Sequence, residues 1–212
     1  MQKTIIRIFD ILIALVSLPF AALAFVLILV PQLVIFKGIF YFSERIGKDN
    51  KKFIHVKLRS MRGRNETAGR HDPSGSRAHL EKWRIPVWGC ILRKTHLDEI
   101  PEIFFILIGA ESFVGPRPLL PAHAALVDTG KRQAQKPGWT GYSQVFLKTR
   151  GILPSRIQRR LDMELGEKLT IGLYFRLLFA SFFARKKRRL MPGDDVIAYR
   201  QKITGHDGEP NG

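Results

Sequence analysis

From Ile8 to Phe36 the chain reads IFDILIALVSLPFAALAFVLILVPQLVIF, with Asp10 and Gln32 the only strongly polar side chains between Arg7 and Lys37. Apolar residues cover every side of such a helix, and the run exceeds the roughly 20 residues that cross a bilayer core. The pattern predicts a membrane segment. A cleaved secretory signal is disfavoured, because the run outlasts a usual signal core and no small-residue cleavage motif closes it. Pro19 removes a backbone hydrogen bond and crowds the preceding turn, so a kink is predicted near Ser17 to Pro19. Basic residues lie on both flanks, Lys3 and Arg7 before the run and Lys37, Arg45, Lys48, Lys51 and Lys52 after it. Since basic flanks favour the cytoplasmic side, a segment that dips into the bilayer and returns fits this charge pattern, with a simple kinked span as the alternative.

Beyond the anchor, KDNKKFIHVKLRSM alternates around Ile54, Val56 and Leu58, which predicts a short strand. Arg62 to Arg77, rich in Gly, Asn, Asp, Ser and Arg, has no apolar period and reads as a surface loop. IPEIFFILI, residues Ile100 to Ile108, is apolar almost all round and too short to span, so it is a helix either buried or lying partly in lipid. LTIGLYFRLLFASFFA, Leu169 to Ala184, runs directly into RKKRR at Arg185 to Arg189. An interfacial helix with a basic end that attracts anionic phospholipid fits this pairing, and a core helix with a solvated end competes with it. The predicted organisation is a membrane helix over 1–37, one cytoplasmic domain over 38–191 and a flexible tail over 192–212.

Charge and cysteine usage narrow the partners. Lys and Arg outnumber Asp and Glu by 35 to 18, and the net charge of +17 favours nucleic acid, phospholipid headgroups or phosphorylated substrates. Nucleic acid is set aside, because no recognisable reading module accompanies the charge. Cys90 is the only cysteine, which excludes both an intramolecular disulfide and a metal site built on several thiolates. At 212 residues the chain suffices for one domain with a real core plus an appended segment.

The candidate chemistry lies in LRKTHLDEIPEIFFILIGAESFVGPRPLLP, Leu92 to Pro121. Asp98 and Glu99 stand side by side before an apolar helix whose proline, Pro101, is best tolerated in a first turn. Asp98 is therefore expected to cap that helix and Glu99 to open it, with the helix dipole favouring ionised carboxylates. An ionised Asp among basic groups can attack phosphorus, and a second carboxylate can hold Mg2+, a hard cation that prefers oxygen. For an arbitrary Asp-Glu pair, a cap and an ordinary ion pair are the commoner explanation. GPRP, Gly115 to Pro118, restricts the backbone around Arg117 and suits a preorganised anion-binding guanidinium, or else a rigid turn. KPGWTGYSQV, Lys136 to Val145, offers glycine turns, the rings of Trp139 and Tyr142, and the polar Thr140, Ser143 and Gln144, as a nucleotide or sugar pocket would; taken alone it also fits an ordinary turn with core aromatics.

Together these segments, from about Ile5 to Arg150, resemble the bacterial sugar transferases, the monotopic polyprenyl-phosphate phosphoglycosyl transferases. Arg7 and Asp10 match an N-terminal Arg-x-x-Asp, and Arg45 and Gly47 match an R-x-G before a basic strand. Lys57, Leu58, Arg59, Ser60 and Met61 match a K-F-R-T-M element. Leu92, Arg93, Leu97, Asp98, Glu99 and Pro101 match L-R-x-x-x-L-D-E-x-P, followed by S-x-V-G-P-R-P at Ser112 to Pro118 and P-G-x-T-G at Pro137 to Gly141. There are departures. Glu102 and Phe105 stand where the family usually has Gln and Asn, Ala110 stands for its usual Asp, and its Ser-Pro helix break is spaced here as Ser17, Leu18, Pro19.

The resemblance implies an α/β, helix-rich monotopic membrane protein at the cytoplasmic face of a bacterial inner membrane. Its parts would be a re-entrant N-terminal helix and a cytoplasmic catalytic domain with interfacial amphipathic helices. It implies ping-pong transfer of a sugar 1-phosphate from a UDP-sugar to undecaprenyl phosphate with release of UMP. Asp98 would be the nucleophile and Glu99 the Mg2+ ligand. Lys57, Arg59, Arg93, Arg117, Thr140 and Gln144 are the expected substrate-binding residues. The expected partners are the UDP-sugar, undecaprenyl phosphate and membrane phospholipid, and a homodimer is compatible with them. A catalytically degenerate scaffold of a glycan assembly complex is the alternative, separated from the enzyme by an assay for turnover.

Overall fold

The computed structural model describes residues 1–36, 38–62, 85–124, 132–150 and 155–183. The predicted loop beyond Arg62, the RKKRR cluster and the tail lie outside the described residues.

Helix α1 spans Gln2–Phe36 as one element with Pro19 and Pro31 inside it, so the predicted kink does not break the helix. At about 1.5 Å rise per residue it extends roughly 50 Å. It is the one helix among the described residues long and apolar enough to cross a membrane. The two faces of α1 differ in what they touch rather than in polarity. Ile6, Asp10, Ala14, Ile28, Gln32 and Phe36 are buried, and Leu18, Ala21 and Phe25 pack between them. This stripe, recurring every three or four residues, is one helix face. Leu12, Val16, Phe20, Leu23, Leu27, Val30 and Val34 are exposed.

Strands β1 (Phe40–Ile46) and β2 (Lys52–Leu58) form an antiparallel hairpin with Phe42 opposite Val56 and Ser43 opposite His55. The period of two puts Phe40, Phe42, Ile54 and Val56 on one side, and Tyr41, Ser43, His55 and Lys57 on the other. The predicted strand is present, but of its apolar positions only Leu58 is fully buried. Phe42 and Ile54 are exposed, whereas His55 is 3% exposed.

The chain continues through α2 (Val87–Thr95), a 3-10 turn at Leu97–Glu99, α3 (Glu102–Ile108), β3 (Ser112–Val114), α4 (Pro121–Ala124), β4 (Gly138–Thr140), α5 (Tyr142–Arg150), α6 (Ser155–Lys168) and α7 (Ile171–Phe183). Strands β3 and β4 pair in parallel, Ser112 opposite Gly138 and Val114 opposite Thr140. Glycine permits the approach of the flanking segments. A Cβ on Gly138 would stand 2.0 Å from the Gly115 nitrogen, and one on Gly115 would stand 2.3 Å from the Lys136 carbonyl oxygen. Ile106, Phe113, Val114, Val145, Leu165, Tyr174 and Leu177 form the main core, while Ile28, Leu58 and Leu92 join α1, β2 and α2 in a smaller one.

Polar pins attach α1 to this body near both of its ends. Arg7 donates to the carbonyls of Ile106 and Leu107 at the end of α3, the latter at 2.5 Å. Asp10 Oδ1 accepts from Ser112 Oγ at 3.0 Å, Phe113 N at 3.1 Å and Tyr174 Oη at 2.9 Å, tying α1 to β3 and α7. Gln32 Nε2 donates to the carbonyls of Ile39 at 3.1 Å and Arg59 at 2.6 Å. Asp10→Ala would leave three buried donors without an acceptor, each costing about 1–3 kcal/mol. The variant is expected to lose roughly 3 kcal/mol or more of stability. Thermal unfolding in detergent measures this, and an unchanged Tm would contradict it.

Large apolar side chains are also exposed on α2 (Val87, Ile91), α3 (Phe104, Ile108) and α7 (Phe179, Phe182, Phe183). They add to the exposed apolar side chains of α1 and of the hairpin (Phe42, Ile54).

Candidate active site

His96, with φ 58°, closes α2 in the left-handed region and turns the chain immediately before Leu97. Only Leu97 to Ile100 then separate the reversal from Pro101, enough for one tight turn. Asp98 and Glu99 therefore sit in the 3-10 turn ahead of α3. Pro101 occupies the position that caps α3, and no side chain caps it. The expected capping by Asp98 does not occur.

The turn sets Glu99 against a ladder of charged side chains. Trp139 Nε1 donates to Glu99 Oε2 at 2.7 Å, and His96 Nδ1 lies 3.5 Å from the same oxygen. The Lys57 ammonium donates to Glu99 Oε1 and also lies 3.0 Å from Glu102 Oε1. His55 Nε2 stands 3.0 Å from Glu102 Oε1 and 3.5 Å from Glu111 Oε1. Strand β2 makes this possible, since His55 and Lys57 are two residues apart and share its inward face.

The two dyad carboxyls are driven apart electrostatically. Burial and the adjacent Glu99 charge push the Asp98 carboxyl up to about 6, against the pull of Lys57, Arg93 and His96. Burial alone would raise Glu99 as well. Hydrogen bonds from His96, Lys57 and Trp139, with the Lys57 charge, outweigh that and hold Glu99 well below the usual carboxylate range. Burial acts to depress the Lys57 ammonium, but Glu102 and Glu99 overcome it and keep the group above its ordinary value. Glu111 is pushed up to about 9 by burial and by Glu102.

Of the sequence-predicted residues, Asp98, Glu99 and Lys57 converge, and Arg93, exposed in the last turn of α2, acts on Asp98 through its charge. Others sit elsewhere. Arg59 Nη1 donates to the Phe36 carbonyl at 3.4 Å, at the C-terminal end of α1. The Arg117 side chain is exposed, while its carbonyl accepts from Arg132, which pairs with buried Asp162 at 2.8 Å. Thr140 is buried in β4, and Gln144 Nε2 donates to the Gly138 carbonyl at 3.2 Å, bracing the turn into α5. Arg45 Nη1 reaches the Pro118 carbonyl at 3.4 Å, which ties the hairpin to the GPRP segment.

Sequence reasoning missed Trp139 and His96 as partners of Glu99, and His55, Glu102 and Glu111 as a cluster. The period of β2 was the available signal for His55. Nothing in local sequence links Trp139 to Glu99. Of the family departures, Glu102 is buried against Lys57 and His55, and Phe105 packs against Phe53 at 6.4 Å between ring centres.

An apolar groove of about 440 Å³ opens between α1, the hairpin and α3, lined by Leu18, Phe25, Phe40, Val56, Ile100, Pro101 and Phe104 among others. Val56 precedes Lys57 and Ile100 follows Glu99 in the chain, with Val56 and Lys57 on opposite sides of β2.

The bacterial sugar transferase family profile matches residues 1–188. The chain belongs to this family. Over 154 residues it is 34% identical to the exopolysaccharide production protein ExoY of Sinorhizobium fredii, covering 66% of this chain and 67% of that one. It is 36% identical over 116 residues to the UDP-glucose:undecaprenyl-phosphate glucose-1-phosphate transferase of Xanthomonas campestris, covering 50% of this chain and 22% of that one. The undecaprenyl-phosphate galactose phosphotransferase of Salmonella typhimurium is 36% identical over 118 residues, covering 50% of this chain and 25% of that one. The chain thus spans about two thirds of the first of these relatives and a quarter or less of the other two. In this sugar transferase the adjacent Asp98 and Glu99 stand in the turn ahead of α3, with Lys57 paired to Glu99.

Proposed function

We propose that this sugar transferase moves a sugar 1-phosphate from a UDP-sugar to undecaprenyl phosphate at the cytoplasmic face of the bacterial inner membrane, as the first membrane step of surface glycan assembly. The observation that carries this reading is the wholly apolar groove whose lining residues Val56 and Ile100 adjoin Lys57 and Glu99 in the chain. A prenyl tail fits a lining that is apolar throughout, and its phosphate would then stand beside Asp98, where the basic Lys57 and Arg93 lie. The names of the Xanthomonas and Salmonella relatives include undecaprenyl phosphate, which supports the same acceptor.

The Asp98 carboxylate attacks the phosphorus that bears the sugar. A carboxylate oxygen bonds to that phosphorus, the bridging bond to the uridine-side phosphate breaks, and UMP leaves with the electron pair. A phosphate oxygen of the acceptor then attacks the same phosphorus. The polyprenyl diphosphosugar departs and the Asp98 carboxylate is restored. Glu99 stays ionised throughout and anchors Lys57, whose charge faces the phosphate oxygens.

Mg2+ fits this arrangement. Trp139, His96 and Lys57 engage three of the roughly four lone-pair positions of Glu99, leaving it a single contact for a cation. Asp98, raised partly by the Glu99 charge, would offer the second, matching a cation that takes one or two carboxylates together with substrate phosphates. When bound, Mg2+ would neutralise phosphate oxygens.

Helix α1, pinned near both ends to one domain, would enter the bilayer and return rather than cross it. Cysteines placed at Lys3 and Lys48 in a Cys90→Ser background are both expected to react from the cytoplasmic side. Labelling of the Lys3 site only from the periplasm would reverse this topology.

Screening UDP-sugars for UMP release with undecaprenyl phosphate tests the reaction. Without acceptor, UMP should stop at no more than one equivalent, leaving one phosphosugar on the peptide containing Asp98. Ala22→Trp, which fills the groove, should leave adduct formation intact and slow transfer to the lipid at least tenfold. UMP release strictly dependent on acceptor, with no adduct, would instead favour direct transfer in a ternary complex.

A further inference from the structure

Behind the dyad lies a second cluster, assembled from β2, the first residue of α3 and the residue preceding β3. His55, Glu102 and Glu111 are 3%, 4% and 1% exposed, and each offers a ligand atom within 4.8 Å of the other two. We propose that these three residues form a binding site for one divalent transition cation of the Mn2+ or Zn2+ class, distinct from the Mg2+ of the dyad.

Spacing is the first support. Donors about 2.0–2.2 Å from a cation stand about 3–3.6 Å apart in octahedral or tetrahedral arrangements. His55 Nε2 lies 3.0 Å from Glu102 Oε1 and 3.5 Å from Glu111 Oε1. The donor set is the second. One imidazole with two carboxylates selects a borderline cation over Mg2+ or Ca2+, which prefer all-oxygen surroundings.

Both Glu111 oxygens are buried without a hydrogen-bond partner, a condition rare for a side chain so deeply enclosed. Their neighbour in the cluster, His55 Nε2, is one ligand atom, and a cation held among the three would satisfy the Glu111 oxygens. Charge points the same way. Glu99, Glu102 and Glu111 crowd one region, where Lys57 is the cation in contact with Glu99 and Glu102, and the Arg45 charge acts on Glu111. With Glu111 ionised, three carboxylates face these two cations, so a bound cation meets net negative surroundings. Since Glu102 Oε1 is also 3.0 Å from Lys57 Nζ, the cation competes for that oxygen and leaves the ammonium to Glu99 and the substrate phosphates.

The test uses the full-length protein in detergent, stripped by chelator and reloaded with Mn2+ in excess Mg2+ that saturates the dyad. One Mn2+ per chain should be retained, and pulsed electron paramagnetic resonance should show coupling to one imidazole nitrogen. His55→Gln should abolish that coupling and weaken Mn2+ binding at least tenfold. Glu111→Gln, nearly isosteric, should weaken binding similarly, while Glu99→Gln should retain both ion and coupling. Circular dichroism checks each variant's fold, and the wild-type nitrogen signal decides the matter if the variants unfold. Failure to retain Mn2+, which would mean that a proton neutralises Glu111, overturns the proposal. So does Mn2+ held without nitrogen coupling, or equally well by His55→Gln. Loss of turnover in Asp98→Asn is independent of all these outcomes.

Discussion

Asp98→Asn should abolish sugar phosphate transfer while leaving the protein folded and membrane bound. The hydrogen bonds that order the acidic turn fall on Glu99, from Trp139 and Lys57, so an amide at position 98 disturbs none of them. What disappears is the anionic oxygen that forms the bond to phosphorus. Loss of a nucleophile that acts as part of a unit costs on the order of 10³-fold or more. The same carboxyl sets the pH dependence. Its ordinary value is raised to about 6 by burial and by Glu99, and only the ionised form attacks. Wild-type turnover should therefore hold above that value and fall as the pH drops through it. Adduct formation without acceptor should follow the same curve. A profile of kcat/KM that stays flat through this range, or an Asp98→Asn variant that still releases UMP, would remove Asp98 from the nucleophile's role.

Lys57→Met should damage both stability and turnover. Lys57 touches Glu99 and Glu102 and is 24% exposed at its side chain, while Glu102 is 5% exposed. Removing one partner of a buried ion pair leaves uncompensated charge and costs about 3–5 kcal/mol. Here two carboxylates would lose their common partner at once. Glu99 would lose the charge and hydrogen bond that help hold its carboxyl low, and the turn carrying Asp98 would lose its anchor. The deficit has a sign in pH. Without Lys57 the crowded carboxyls bind protons more readily than in the unfolded chain, so acidification relieves their repulsion. The gap in Tm between wild type and variant should be widest near neutrality and should narrow as pH falls. Lys57→Arg keeps the charge and should restore most of the stability and part of the activity. A gap independent of pH would mean that lost packing rather than lost charge is responsible.

Local pattern was enough to read the long apolar helix, the strand over Lys52–Leu58, the apolar helices α3 and α7, and the motif that contains Asp98 and Glu99. Each depends on residues close together in the chain, where periodicity and turn chemistry act directly. Inside and outside were a different matter. In a soluble sheet the whole apolar face of β2 would lie in the core, yet only Leu58 of it does so fully, Ile54 is exposed and His55 on the other face is buried, because apolar side chains here also cover the outer surface of α1, α2, α3 and α7. Hydrophobicity then no longer tells which face turns inward, and packing decides it. Packing also decided the partners of the acidic pair. Trp139 lies 40 residues from Glu99 and Lys57 lies 42, and Asp10 reaches Tyr174 across 164. Arg59 and Arg117, basic residues in motifs as distinct as that of Lys57, ended at the close of α1 and on the surface. Charge in the sequence shows that a guanidinium or ammonium is present; only the crossing of β2 over the turn determined which one meets the carboxylates.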